Sequence, residues 1–215
     1  MKTFMKLAKT SFIVLLVMTS MALMSFTTEG SPAGMAFALS NENSTLAWEG
    51  TKPGGAHYGV IDVVSGKIDT DGQQVTGGSF IIDMNSIICQ DLASERMNSR
   101  LVGHLKSEDF FHTEAYPKAF FNITNVTPRQ SEAEGFSANY MVTGNLTIRG
   151  NSNEISFPAN ITMDDRLVYA KTGQIELDRT KWNVNFQSKK IFSNLADRYI
   201  DDIMIVSLDL RFDRS

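Results

Sequence analysis

The feature that most limits this chain is a period of two. Tyr140, Val142, Leu146 and Ile148 fall on one face of an extended segment, with Met141, Thr143, Asn145 and Thr147 on the other. Ile155, Phe157, Ala159 and Ile161 alternate with Ser156, Pro158, Asn160 and Thr162. Met204, Val206, Leu208, Leu210 and Phe212 repeat the pattern, as do Phe80, Ile82 and Met84. Successive side chains of a strand point to opposite faces, so such runs predict strands with one buried face. Expected strands span 44–50, 57–68, 74–84, 118–127, 136–149, 153–163, 167–178, 181–187 and 202–213. Turn signals separate them: Asp69-Thr70-Asp71-Gly72, Gly150-Asn151-Ser152-Asn153 and Asp164-Asp165. Connections this short join antiparallel neighbours, because a parallel crossover takes a dozen or more residues. Eight or nine such strands predict an all-β domain, a closed barrel or a sandwich.

Two segments break the alternation. From Asp91 to Leu105 the apolar residues Ala93, Met97, Leu101 and Leu105 are spaced by four, which predicts one short inserted helix with Asp91 as its N-cap. Farther on, Ile175 and Leu177 are odd-numbered while Trp182, Val184 and Phe186 are even. A strand changes parity only through an extra residue, so a bulge or loop is expected across Asp178-Arg179-Thr180-Lys181, with Arg179 and Lys181 on a polar rim.

The N-terminus reads differently. Lys2, Lys6 and Lys9 precede an apolar run from Phe12 to Met24 broken only by Thr19 and Ser20. A basic segment followed by an apolar run too short to span a bilayer predicts a secretory signal. Ala36-Phe37-Ala38 offers a cleavage site, with Thr27 or Thr28 as an alternative. Residues 1–38 are thus expected to be a signal peptide and residues 39–215 the domain. No cysteine precedes Cys89, so a lipid-bearing N-terminal cysteine is excluded. A periplasmic or secreted protein without a stable membrane anchor is expected.

Composition narrows the function. A net charge of −4 argues against a nucleic-acid partner. The lone Cys89 excludes an internal disulfide and any Cys-rich metal site. G-x-S-x-G, H-E-x-x-H and C-x-x-C are all missing. His104, Glu108 and His112 have ligand-like spacing, but Gly103 and Asp109-Phe110-Phe111 speak against a helix carrying all three. Neither a metal nor a cofactor is expected.

Several segments, taken in order, resemble one known family. Trp48-Glu49-Gly50 and Gly55-Ala56-His57-Tyr58-Gly59 are similar to its first hairpin. Gly77-Gly78-Ser79-Phe80 and Asp83-Met84-Asn85-Ser86-Ile87 follow. The most telling stretch runs from Gly103-His104-Leu105 through Asp109-Phe110-Phe111 to Tyr116-Pro117-Lys118-Ala119-Phe120-Phe121. Thr143-Gly144-Asn145-Leu146-Thr147-Ile148-Arg149-Gly150, Leu177-Asp178-Arg179-Thr180-Lys181-Trp182 and Ile200-Asp201-Asp202 complete the order. The chain resembles the YceI-like family, lipocalin-like proteins that bind polyisoprenoid lipids. One departure is the Asn151-Ser152-Asn153-Glu154 loop, where many relatives carry Thr-Lys. The resemblance implies an eight-stranded antiparallel lipocalin-like barrel whose cavity holds an isoprenoid, a quinone or a similar lipophilic small molecule. It also implies a non-enzymatic carrier or sequestering protein.

If the apolar face lines such a cavity, Trp48, Phe80, Phe121, Leu146, Phe157, Trp182, Phe186 and Leu208 are the expected ligand contacts, with His57 as a polar group in the wall. Arg179, and by proximity Lys181, Lys189 and Lys190, would meet a diphosphate head. Two alternatives stand beside this reading: a secreted hydrolase of small amphipathic substrates with His57 as base, or a solid-core barrel with a protein-interaction role. A homodimer through a sheet edge or the cavity mouth is compatible with either.

Overall fold

The computed structural model describes residues 34–133 and 135–215. The apolar run Phe12–Met24 lies outside the described residues. Among the described residues there are twelve strands: β1 (Met35–Leu39), β2 (Thr45–Lys52), β3 (Gly55–Ile61), β4 (Val63–Thr70), β5 (Val75–Asp83), β6 (Ile88–Cys89), β7 (Lys118–Ala133), β8 (Phe136–Ile148), β9 (Asn151–Met163), β10 (Leu167–Thr172), β11 (Ile175–Asp178) and β12 (Ile203–Arg214). The helix α1 spans Glu95–Lys106.

All pairings are antiparallel, and the sheet closes. The ring runs β1-β4-β5-β7-β8-β9-β10-β12 and returns to β1. The first half of β12 pairs with β11 and β2, and β2 pairs with β3, which leads through Asp62 into β4. Closure leaves the inward face of each strand nowhere to go but the interior. The buried residues follow the alternation: Val142, Leu146 and Ile148 on β8, Phe157, Ala159 and Ile161 on β9, Phe80 and Ile82 on β5.

The structure corrects several boundaries. Residues before 39 do not all lie outside the fold, because β1 pairs with β4 and β12 and its Phe37 is 0% exposed. The β8–β9 connection is tighter than expected: Arg149 and Gly150 both have positive φ, at 50° and 73°, and Asn151 already belongs to the strand. That is a two-residue turn whose twist suits a hairpin. Residues 167–178 form two strands, with a break at Gly173-Gln174. No strand forms at 181–187. Arg179–Trp182 is one turn of 3₁₀ helix, capped by the Asp178 carboxylate on the Thr180 N–H, and Asn183 follows with φ 60°. The parity flip is this turn.

The helix starts later than expected. Ser94, not Asp91, caps it, accepting from the Met97 N–H, and only Leu105 of the four-residue stripe is buried. Asp91 is occupied elsewhere, by β3. Among the described residues no helix is long and apolar enough to cross a membrane.

Candidate functional site: an apolar cavity at one end of the barrel

The barrel is filled at one end and hollow at the other. At the β1 end, Phe37, Ile68, Val75, Val168 and Phe212 are packed among themselves and other core residues. Four aromatic rings then form a floor. Phe80 lies 5.6 Å from Phe212 and 6.0 Å from Phe121, and Phe121 lies 5.7 Å from Phe157, centroid to centroid. Such offset and tilted pairs pack tightly and suit a rigid partition. Beyond the floor, about 150 Å³ is open to the centre of a water-sized molecule. One water needs only ~10–15 Å³ on that measure. Side chains therefore leave this end of the barrel unfilled.

Strands supply most of the wall: Leu46 and Trp48 from β2, Ile82 from β5, Ala119 from β7, Leu146 from β8, and Met204, Val206, Leu208 and Leu210 from β12. The remainder comes from Leu105 of α1 and from segments outside the strands at the hollow end: Met84, Ile87, Phe110, Phe111 and Ile200. Sequence reading passed over this second group. Leu105 sat in the helical stripe and Phe110-Phe111 in the family-like stretch, but neither signal tells which way a loop folds.

Seven of the ten expected contacts line the cavity: Trp48, Phe80, Phe121, Leu146, Phe157, Arg179 and Leu208. Three do not. Trp182 is wholly buried in the wall, its indole N–H donating to the Leu146 carbonyl at 2.9 Å. Phe186 packs edge-on against His104 and beside Phe110, behind the lining. His57 gives its ring to Asp91, with Nδ1 2.8 Å from the carboxylate.

Arg179 lines the cavity, but not as a rim charge. It is 3% exposed. Its Nε–H donates to the Asp201 carbonyl at 3.0 Å, one terminal nitrogen to Val184 at 2.7 Å and the other to Ile200 at 2.9 Å. Asp202 stands 3.4 Å from the guanidinium, and the Phe110 ring 5.8 Å away. Burial pushes this guanidinium below its usual range, against the pull of Asp202, Asp178 and Asp201. The group fastens residues 184–202 over the barrel end. The expected lysines do not line the cavity either: Lys190 pairs with Asp178 and Lys189 sits over the Tyr199 ring. Two carboxylate residues, Glu49 and Asp201, contribute to the lining, and Asp201 accepts from the Thr51 hydroxyl at 2.6 Å.

His104, Glu108 and His112 are not gathered, because the helix ends at Lys106 and His112 adopts a positive φ of 49°. A different trio is. The Asp91 carboxylate accepts from the His57 ring, from the Tyr58 N–H at 2.9 Å and from the Cys89 thiol at 3.1 Å. Burial alone would raise its pKa, but these three bonds outweigh it and hold the carboxyl at about 2. Burial and the neighbouring carboxylate push the Cys89 thiol up. The thiol's hydrogen bond goes to the carboxylate and not to the imidazole. His57 stands outside the cavity lining, so a substrate held there does not meet its ring.

The comparisons agree with this architecture. The barrel resembles BcnA of Burkholderia cenocepacia at 18% identity, covering 80% of this chain and 98% of that one, with a TM-score of 0.61. It also resembles a polyisoprenoid binding domain from Saccharophagus degradans implicated in plant cell wall breakdown, at 15% identity, covering 84% and 99%, with a TM-score of 0.61. At such identities the likeness is one of fold. No curated protein matches the chain closely enough to count as a relative. The model of the YceI-like domain, however, matches residues 37–212, nearly all of the barrel from its first buried phenylalanine to its last, and the chain belongs to that family.

Proposed function

We propose that this protein binds a long-chain lipophilic molecule, an isoprenoid, a quinone or a chain of similar shape, inside the hollow end of the barrel. The carrying observation is an apolar cavity floored by Phe80, Phe121 and Phe157 in a barrel that could have been packed solid. Each buried methylene contributes about 0.8 kcal/mol, so a five-carbon unit contributes several kcal/mol before ordering costs. The chain would supply the affinity and the depth to the floor its selectivity. Arg179 is committed to three carbonyls, so a diphosphate head has no free guanidinium to meet in the lining. The resemblance to a polyisoprenoid binding domain supports the same ligand class.

The role we infer is transport, storage or sequestration outside the cytoplasm. Export rests on Lys2, Lys6, Lys9 and the apolar run Phe12–Met24. Signal cleavage would fall upstream of Met35, since β1 belongs to the barrel.

The test is mass spectrometry of organic extracts from the full chain, purified without detergent and offered cell lipids. A prenyl or quinone species near one per chain is expected, and Ala119→Phe, which fills the cavity, should abolish its recovery while the fold persists by circular dichroism. A clean extract from the unaltered protein, or undiminished recovery from the folded variant, would overturn the proposal.

A further inference from the structure

We propose that His57, Cys89 and Asp91 form a binding site for a zinc-class divalent cation on the β3–β6 edge, separate from the cavity. The three donor groups lie within 4.8 Å of one another and come from two segments far apart in sequence. None of them lines the cavity.

The backbone is built to bring them together. Gly59 pairs with Cys89, and a Cβ on Gly59 would stand 1.8 Å from the Ile88 carbonyl oxygen, so only glycine lets β6 approach β3 this closely. The Trp48 indole N–H donates to that same carbonyl. On the other side, the Asn98 amide of α1 donates to the carbonyls of Cys89 and Leu92 at 2.8 and 3.2 Å. Tyr58 N–H fixes Asp91. Groups that orient the ligands from behind are a property of metal sites.

The donor set selects the ion. A thiolate and a carboxylate carry two negative charges, and a neutral imidazole carries none, so a dication leaves the site neutral. Mixed sulfur, nitrogen and oxygen donors suit zinc or cobalt(II), with three protein ligands and one open position for water. The His57 and Asp91 side chains are 23% and 16% exposed, which admits the ion and its water. In the metal-free state the protons on Cys89 Sγ and His57 Nδ1 bridge to Asp91. On binding, the thiol proton leaves to solvent and the imidazole proton passes from Nδ1 to Nε2. The ion takes the place of both bridging protons, with no change of oxidation state. Metal–ligand lengths of ~2.0–2.3 Å require the bridging contacts to widen by roughly half an ångström.

The experiment is titration of the reduced full chain with cobalt(II), followed by zinc(II). Saturation at one equivalent is expected, with a thiolate-to-cobalt charge-transfer band that zinc abolishes. Cys89→Ser should lose the band, and Asn98→Ala should bind about tenfold more weakly. His57→Gln, which keeps a group able to bond the carboxylate, should bind at least tenfold more weakly and guards against misfolding of the cysteine variant. A folded, reduced protein showing no band at excess cobalt would overturn the site. So would saturation unchanged in His57→Gln or a band persisting in Cys89→Ser.

Discussion

Arg179 carries the largest difference between what a residue type offers and what its surroundings make of it. Placed beside Asp178 and Lys181, it looks like a rim cation. Buried, it satisfies three carbonyls that would otherwise be stranded away from water. Removing it leaves those acceptors unpaired, at ~1–3 kcal/mol each. Arg179→Met is therefore expected to lower unfolding free energy by about 3 kcal/mol or more in urea titration. It should weaken prenyl alcohol and prenyl diphosphate binding alike; a loss confined to the diphosphate would show the guanidinium reaching the head group instead. Asp178 sets the turn that delivers Arg179. Burial would raise its pKa, but the Lys190 ammonium and the Thr180 hydroxyl and N–H together lower it. A carboxyl depressed in the fold contributes stability above its unfolded value near 3.8, lost as pH falls through the folded value. Asp178→Ala should thus cost about 1 kcal/mol at neutral pH, as lost caps do. Denaturation curves of variant and parent should converge as pH falls below that value, and a gap that persists in acid would refute the assignment.

At the scale of elements, the strands were legible because alternation is local: each residue's face follows from its neighbour's. The exceptions mark where a distant partner intervened. Asp91 looked like a helix cap until β3 claimed its carboxylate. Trp182, Val184 and Phe186 alternate as a strand would, yet the turn at Arg179 and the bond from Trp182 to Leu146 fold them inward without one. β1 hid inside what reads as a cleavage motif, because Ala-Phe-Ala serves a peptidase and a strand equally well. The consequence can be measured. A chain beginning at Ser31 should keep its stability, whereas one beginning at Leu39 loses Phe37 and most of the strand joining β4 to β12. Deleting a buried phenylalanine side chain alone costs about 3–5 kcal/mol. Equal denaturation midpoints for the two chains would mean that β1 contributes nothing to closure.

For the molecule as a whole, the division of the barrel into a filled half and a hollow half decides what it can hold. Phe80 stands at that division, touching Phe121 on the cavity side and Phe212 on the packed side. Phe80→Ala should lower stability by about 3–5 kcal/mol and deepen the cavity. Extracts of the folded variant should then carry longer chains than extracts of the parent. An unchanged length distribution would place the depth limit elsewhere.

The sequence by itself determined that this chain makes antiparallel strands with one apolar face, because a period of two needs no knowledge of partners. It also carried enough ordered signals to point to the YceI-like family. Only the tertiary structure decided which apolar residues line space and which fill it. Leu208 and Trp182 were equally plausible contacts; one faces the void and the other closes the wall. It alone brought His57 to Cys89 and Asp91, across a gap in sequence that no local pattern spans. The physical reason is the same in each case: alternation reports that a side chain leaves water, while its partner is fixed by closure of the sheet.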